Sequence, residues 1–390
     1  MDFDDRPEEA AYRAEVRAFL QAHAAPREDT PLAFASRYNV DESTLARAKL
    51  WQRCRFDHGF AGITWPRDWG GQERDPICQI IFAEEEARFA TPQGVYEIGL
   101  AMCVPTMMRF GRMGGKADLA TRALRGDDIW CQLFSEPGAG SDVAALTLRA
   151  DRDGEEWVLN GQKTWISVAK HAHYGLLLAR SDRSAQKHAG LTAFMIDLRT
   201  PGIDVRPIRQ ITGYSHFNEV FFADARVPDL WRLGDIGAGW KVALSTLANE
   251  RYATGEAPGP HVGDLIALAT KYPDEAPAIQ SESVRERLAD LYTRAEGLRF
   301  ARLRMITAIA RGEAPGPEAS IGKLVSSALL QDIVATGLDI LGGADKAASP
   351  MHAWFQDAYL YAPATRIAGG TDEILLNIIA ERVLGLPTDR

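Results

Sequence analysis

The chain has 390 residues, 46% of them apolar and 25% charged, which allows more than one hydrophobic core and excludes disordered or collagen-like classes. A formal net charge of -9 argues against nucleic acid as a general partner, because phosphate binding needs a concentrated positive surface. Cys54, Cys78, Cys103 and Cys131 are widely spaced with no C-x-x-C pair, which fits reduced thiols in a cytoplasm, and the acidic start MDFDDRPEEA reads as neither signal nor transit peptide.

From Pro7 to about Arg125 the period is helical, with Ile80, Ile81, Ala83 and Ala87 interleaved with Glu84, Glu85 and Glu86, a run that reads as a helix surface. The tract ITWPRDWGG (63–71) is punctuated by Pro66, Gly70 and Gly71 and reads as a loop between helices. From about Gly126 to Gly234 the period becomes two. Asp153-Gly154 and Asn160-Gly161 suit hairpin turns, and strands are predicted at Tyr174 to Ala179, Leu191 to Ile196 and Glu219 to Phe222, ending at Pro228. Beyond Ala238 helical spacing returns, at Val284, Leu288, Leu291, Ala295 and Leu298 and again at Ile321, Leu324, Val325 and Ala328. Gly255 to Pro277, rich in Gly and Pro, reads as an irregular connection. The predicted class is α+β: an N-terminal all-α domain (1–125), a central β-barrel or sandwich domain (126–235) and a C-terminal helical bundle (236–390). No segment approaches the roughly 20 apolar residues of a membrane helix.

Chemistry concentrates first in WCQLFSEPGAGSD (130–142). Gly138 and Gly140 permit close backbone approach, and Gln132, Ser135 and Ser141 supply hydrogen-bonding groups suited to a large polar ligand. On composition alone, a glycine turn between a helix and a strand is the more common reading. His171 and His173 form an H-x-H pair without acidic or cysteine companions, so a strand edge is favoured over a metal, and no metal ligand is assigned.

The 130–142 loop resembles that of the acyl-CoA dehydrogenase family, which carries S/T-E-P-x-A-G-S-D before its β-domain. Blocks at 63–71, 157–167 (WVLNGQKTWIS), 216–228 (HFNEVFFADARVP), 319–325 (ASIGKLV) and 367–387 (IAGGTDEILLNIIAERVLGLP) are similar to family blocks in the family order. The resemblance covers nearly the whole chain. It implies an FAD-dependent dehydrogenase of acyl-CoA thioesters in which Gln132, Ser135 and the backbone amides of Phe134 and Ser135 face the flavin. Ser141 would lie near the pyrophosphate or the thioester, and Trp165 and Ser167 beside the isoalloxazine. Alone, Trp165 would more often be a core residue.

Many members place the catalytic glutamate just before a Gly-Thr, where this chain has Gly369, Gly370 and Thr371. Others supply it from an earlier Glu-Arg pair, matched here by Glu250 and Arg251 in LANER. The resemblance therefore implies Glu250 as the base and Gly369 as donor of a backbone N–H to the thioester oxygen, with Arg251 near the substrate. Outside that context Glu250 and Arg251 read as a solvated helix face. Thr371, Glu373, Gly342 and Gly343 match cofactor-facing positions, against the local alternatives of a helix N-cap at Thr371 and a helix C-cap at Gly342.

The family's Arg-x-x-Phe-Gly segment, which reaches a neighbouring subunit's FAD, is missing between Tyr252 and Asp290, and Asp339 stands where Gln is common. A homotetramer or homodimer using an electron-transferring flavoprotein as acceptor is one reading. A subunit of a heterotetramer, even a non-catalytic one, is the second, and a family-like flavin monooxygenase the third.

Overall fold

The computed structural model describes residues 5–27, 40–253, 259–273, 276–311, 316–317, 319–342 and 350–387, and the side chains of these except 249–253 and 309–310. Two compact units partition the chain: 1–25 with 37–253, and 26–36 with 254–390.

In the first unit, helix α1 (Pro7–His23) buries Tyr12, Val16, Phe19 and Leu20, a three-and-four spacing that lays one apolar stripe on its neighbours. Those neighbours are α2 (Glu42–Asp57) through Trp51 and α3 (Pro76–Glu86) through Ile81 and Phe82. Asp41 caps α2 by accepting the Thr44 amide at 2.7 Å, and Asp75 with Pro76 starts α3. The predicted glutamate surface holds only in part. Glu85 is buried, its carboxylate taking Arg13 at 2.9 Å and Arg17 at 2.9 Å, and Glu86 accepts the Trp51 indole N–H. A charge run shows its helix but not which member turns inward, since arginines one helix away decide that. Residues 63–71 form the expected loop, with one short 3-10 turn at Arg67–Trp69. A π-turn (Gly99–Cys103) leads into α4 (Val104–Phe110), and α5 (Lys116–Leu124) follows.

Eight strands come next: β1 (Trp130–Leu133), β2 (Arg149–Asp153), β3 (Glu156–Ser167), β4 (Tyr174–Arg180), β5 (Leu191–Asp197), β6 (Ile203–Pro207), β7 (Phe217–Pro228) and β8 (Arg232–Leu233). They make one open mixed sheet in the order β6-β7-β3-β2-β4-β5-β8, with β1 parallel to the start of β4. The β-domain is thus present as a sheet that does not close, with β1 parallel to β4 and β2 meeting β4 in parallel at Arg149 and Arg180. Strands β4 and β5 are buried on both faces, which is why YGLLLA and LTAFMI are continuous rather than alternating. Leu177, Ala179, Phe194 and Ile196 face one core, while Leu176, Leu178, Ala193 and Met195 face a second with Met107, Ala123 and Val242.

Gly154 turns the β2–β3 hairpin as predicted, with φ +62°. Asn160-Gly161 does not make a turn. It lies inside β3 at a bulge opposite β7, where Asn160 and Asp224 exchange two hydrogen bonds at 2.9 and 3.0 Å, and a Cβ on Gly161 would meet Leu148 Cα at 2.9 Å. Positive φ serves a bulge as well as a turn, so the dipeptide alone does not separate them. Helix α6 (Gly239–Ala253) packs back on this unit, with Thr246 and Thr106 hydroxyls 3.0 Å apart.

The second unit contains α7 (Val262–Lys271), α8 (Glu282–Ala310), α9 (Ala319–Leu341), α10 (Pro350–Thr365) and α11 (Asp372–Ile378). Helix α7 corrects the irregular connection predicted there: Leu265, Leu268 and Ala269 face the bundle core, and the flanking Gly and Pro only punctuate it. Helix α9 carries the predicted helical spacing, with Leu324, Val325 and Ala328 half-buried and Ile321 exposed, and its buried residues include Ser327, Leu329, Leu330, Ile333 and Val334. It corrects one expectation, since by length and composition it could cross a membrane. Ser327 donates its hydroxyl to the Thr365 carbonyl at 3.0 Å, the satisfied polar contact of a helix packed in protein.

Candidate active site

Five of the predicted site residues converge in the first unit. Gln132 is half-buried on β1, opposite Leu176, and the chain leaves that strand through buried Phe134 and half-buried Ser135. Trp165 and Ser167 lie at the end of β3, and the Thr164 amide donates to the Ser135 carbonyl at 3.0 Å, joining the two segments.

A lysine and a glutamate that the motifs contain, but that carried no role in the sequence, hold this junction. Lys163 is fully buried, and its ammonium donates to the Phe134 carbonyl and to Glu136 Oε1, each at 2.9 Å. Glu136 also accepts the Thr147 amide at 2.7 Å, the Thr147 hydroxyl at 2.9 Å and the Leu148 amide at 2.9 Å. Burial pulls the Lys163 pKa down to about 8 against the opposing pull of Glu136. Burial pushes the Glu136 carboxyl up, but the Lys163 charge and the Thr147 and Leu148 amides outweigh it and hold the group below its ordinary value. Because a trans peptide sets C=O and N–H opposite each other, tying the Phe134 carbonyl inward aims the Ser135 N–H outward.

Glu136 and Ala139 exchange backbone hydrogen bonds at 2.9 and 3.0 Å around Pro137-Gly138, and Gly138, Gly140 and Ser141 are exposed. A Cβ at Gly138 or Gly140 would meet no atom within 4 Å, so nothing in this chain crowds that backbone. Trp165 sits at φ +59°, a conformation that costs a non-glycine residue about 1–2 kcal/mol, yet 58% of its surface is exposed. It is forced there by the bulge between Lys163 and Ile166 and by buried Thr164 and Ile166 on either side, with the Phe217 ring set edge-on at 6.0 Å. The indole is thus held outward at a backbone cost, its face open to solvent.

The remaining positions lie elsewhere. The Glu250 and Arg251 backbones belong to α6, and their side chains fall outside the described residues. In the second unit Gly369 (φ +67°) and Gly370 (φ +97°) make a left-handed turn whose Gly370 carbonyl accepts Lys323 Nζ at 2.6 Å. Thr371 caps α11 by accepting the Ile374 amide at 3.3 Å, and Glu373 is exposed in its first turn. Gly342 (φ +60°) ends α9, its amide donating to Leu338 O, while Gly343 lies outside the described residues. The local cap alternatives at Thr371 and Gly342 are thus both realised. His171 and His173 are not at a strand edge. His171 ends a 3-10 turn (Ala169–His171) and His173 immediately precedes β4, with His171 Nε2 on the Val40 carbonyl and His173 Nδ1 accepting the Ile129 amide.

Comparison with known proteins decides the lineage. The acyl-CoA dehydrogenase N-terminal, middle and C-terminal domains match residues 6–127, 131–225 and 237–384. The chain belongs to the acyl-CoA dehydrogenase family. It is 34% identical over 384 residues to acyl-CoA dehydrogenase IpdE1 of Mycobacterium tuberculosis (strain ATCC 25618 / H37Rv), covering 97% of this chain and 98% of that protein. Among solved structures, the Tcur3481-Tcur3483 steroid ACAD superposes with a TM-score of 0.83 at 26% identity over the whole of both chains. The ChsE4-ChsE5 complex from Mycobacterium tuberculosis does so with 0.79 at 25% identity, again over the whole of both.

This acyl-CoA dehydrogenase family member is accordingly an FAD-dependent oxidoreductase of lipid metabolism. The residues at the β1–β3 junction fit that cofactor, offering uncrowded glycine backbone for a pyrophosphate, an outward Ser135 amide for a polar ring edge, and the exposed Trp165 face for an aromatic ring system.

Proposed function

We propose that the protein oxidises an acyl-CoA thioester between its α and β carbons to give the 2-enoyl-CoA, with Glu250 as the base. When bound, FAD supplies the acceptor for the β-hydride at its N5 atom. Glu250 removes the α-proton, a task for which a carboxylate screened from water by the acyl chain is better suited than an exposed one, since desolvation raises its basicity. The Gly369 N–H stabilises the charge that develops on the thioester oxygen, and Arg251 and Ser141 border the substrate. Gln132, Phe134, Ser135, Trp165 and Ser167 hold the flavin, with Gly342, Gly343, Thr371 and Glu373 on its adenosine side or across a subunit interface. An electron-transferring flavoprotein reoxidises the enzyme.

The observation that carries this reading is a coherent swap inside a full three-domain family match: glutamate at 250 where 369 is glycine. A monooxygenase or a silent partner subunit has no use for a carboxylate at the substrate's α-carbon. Glu250→Gln is expected to abolish turnover of CoA thioesters with an artificial electron acceptor while leaving the flavin spectrum intact; near-normal turnover would remove Glu250 from the mechanism.

A second reading concerns assembly. The absence of Arg-x-x-Phe-Gly between Tyr252 and Asp290, together with a steroid ACAD and a ChsE4-ChsE5 complex among the similar structures, favours a heteromer acting on a bulky, steroid-derived acyl-CoA.

A further inference from the structure

Far from the β1–β3 junction in sequence, three soft or borderline metal ligands meet where α1 ends against α2. His23 is the last residue of α1, Cys54 lies in the last turn of α2, and His58 follows that helix as its C-cap. One ligand atom from each lies within 4.8 Å of the other two. Cys54 and His58 are four apart, the spacing that puts side chains on one helix face, and Cys54 Sγ is 3.8 Å from His58 Nδ1.

The imidazole tautomer is set by the backbone. His58 Nδ1 is 2.9 Å from the Cys54 carbonyl oxygen, which can only accept, so Nδ1 carries the proton and Nε2 keeps its lone pair. Below the cluster, the buried Phe19 ring lies 5.0 Å from His23 and 5.3 Å from His58, while the two imidazoles are 4.5 Å apart. Packing on Phe19 explains why the imidazoles lie together. It does not explain why a thiol shares their position.

We propose that His23, Cys54 and His58 form a binding site for a divalent ion of the zinc class, with water as the fourth ligand. Two nitrogens and one sulfur suit zinc or cobalt and exclude magnesium and calcium, which take oxygen. In a tetrahedron with metal–sulfur and metal–nitrogen bonds of about 2.3 and 2.0 Å, ligand atoms stand about 3.3–3.6 Å apart, so the cluster must close by little more than about 1 Å. His23 and His58 are exposed, and Cys54 is half-buried. Binding converts the Cys54 thiol to a thiolate, releases one proton and changes no oxidation state. The ion would then fasten the C-terminal end of α1 to α2.

The test is cobalt titration of the full-length, flavin-loaded protein in a phosphine reductant, read as a difference spectrum. The expected result is one cobalt per chain, with a thiolate-to-cobalt charge-transfer band and the visible bands of a four-coordinate ion, displaced by zinc. Cys54→Ser should remove the charge-transfer band, and His23→Gln and His58→Gln should each weaken binding at least tenfold, with flavin content and elution volume unchanged in all three. No thiolate band in the parent protein overturns the proposal, as does the same band surviving in Cys54→Ser or undiminished affinity in both histidine variants.

Discussion

At the scale of single residues, Lys163 and Glu136 decide whether the loop after β1 keeps its shape. The ammonium fixes the Phe134 carbonyl, and the carboxylate anchors the chain's return at Thr147 and Leu148, so one buried ion pair sets both ends of the turn that carries Gly138 and Gly140. Removing one partner strands the other's charge in the interior, which typically costs about 3–5 kcal/mol. Lys163→Met is therefore expected to lower the urea midpoint strongly and to weaken FAD binding, whereas in a Glu136→Gln background the same change should cost clearly less, because no bare carboxylate remains. Equal costs in the two backgrounds, measured as a double-mutant cycle, would show that the ion pair is not what couples them. Both residues stand in motifs that read as flavin-facing, KTWIS and SEPG. Their roles escaped the sequence because a motif does not distinguish side chains that touch a ligand from those that hold the backbone that does. Trp165 was legible only through its motif: its φ of +59° depends on a bulge, and bulges arise from the partner strand.

At the scale of elements, Asp229 shows how a strand end is secured. It follows β7, and its carboxylate accepts Trp157 Nε1 from β3 at 2.8 Å and Arg232 Nε from β8 at 2.8 Å, with Arg112 at 3.3 Å. The bond from Arg232 holds its carboxyl well below the usual carboxylate range against the opposing effect of burial, and the Trp157 bond and the Arg112 charge add to it. A carboxyl whose folded pKa is depressed contributes stability that is complete above the unfolded value of about 4 and is lost as pH falls below it. Asp229→Asn should accordingly be clearly less stable than the parent at about pH 6, with the gap narrowing toward about pH 3 in urea titrations. A gap independent of pH would mean that the tie is steric. The strands at 174–179, 191–196 and 219–222 and the Gly154 turn were readable from the sequence, the first two as continuous apolar runs rather than by alternation. Their order was not: β1 reaches its place beside β4 by a parallel pairing that no local pattern encodes. Helix α7 was hidden for the opposite reason, because Gly and Pro around a ten-residue amphipathic stretch mask its Leu265 and Leu268 face.

At the scale of the whole molecule, the order helices, sheet, helices was legible because the hydrophobic period changes along the chain, whereas the sharing of one core by Met107, Ala123, Leu176, Met195 and Val242 was not. The burial of α9 was not, because an apolar 23-residue helix reads alike in a bundle core or a bilayer. Assembly is the remaining question, and the C-terminal unit supplies the argument. Tyr292, Phe300, Tyr359 and Leu376 are exposed there by 51%, 45%, 49% and 52%. The segment through which family members reach a neighbour's FAD is absent from 252–290, so a ring of identical copies would lack that contact in every site. If a second family chain supplies it, this chain purified alone should carry well under one FAD per polypeptide and turn over slowly. Co-expression with the second chain should restore one bound FAD per competent site and raise turnover at least tenfold, as read by flavin absorbance and size-exclusion with light scattering. A homotetramer of this chain alone with full flavin and full activity would instead place every needed contact within it.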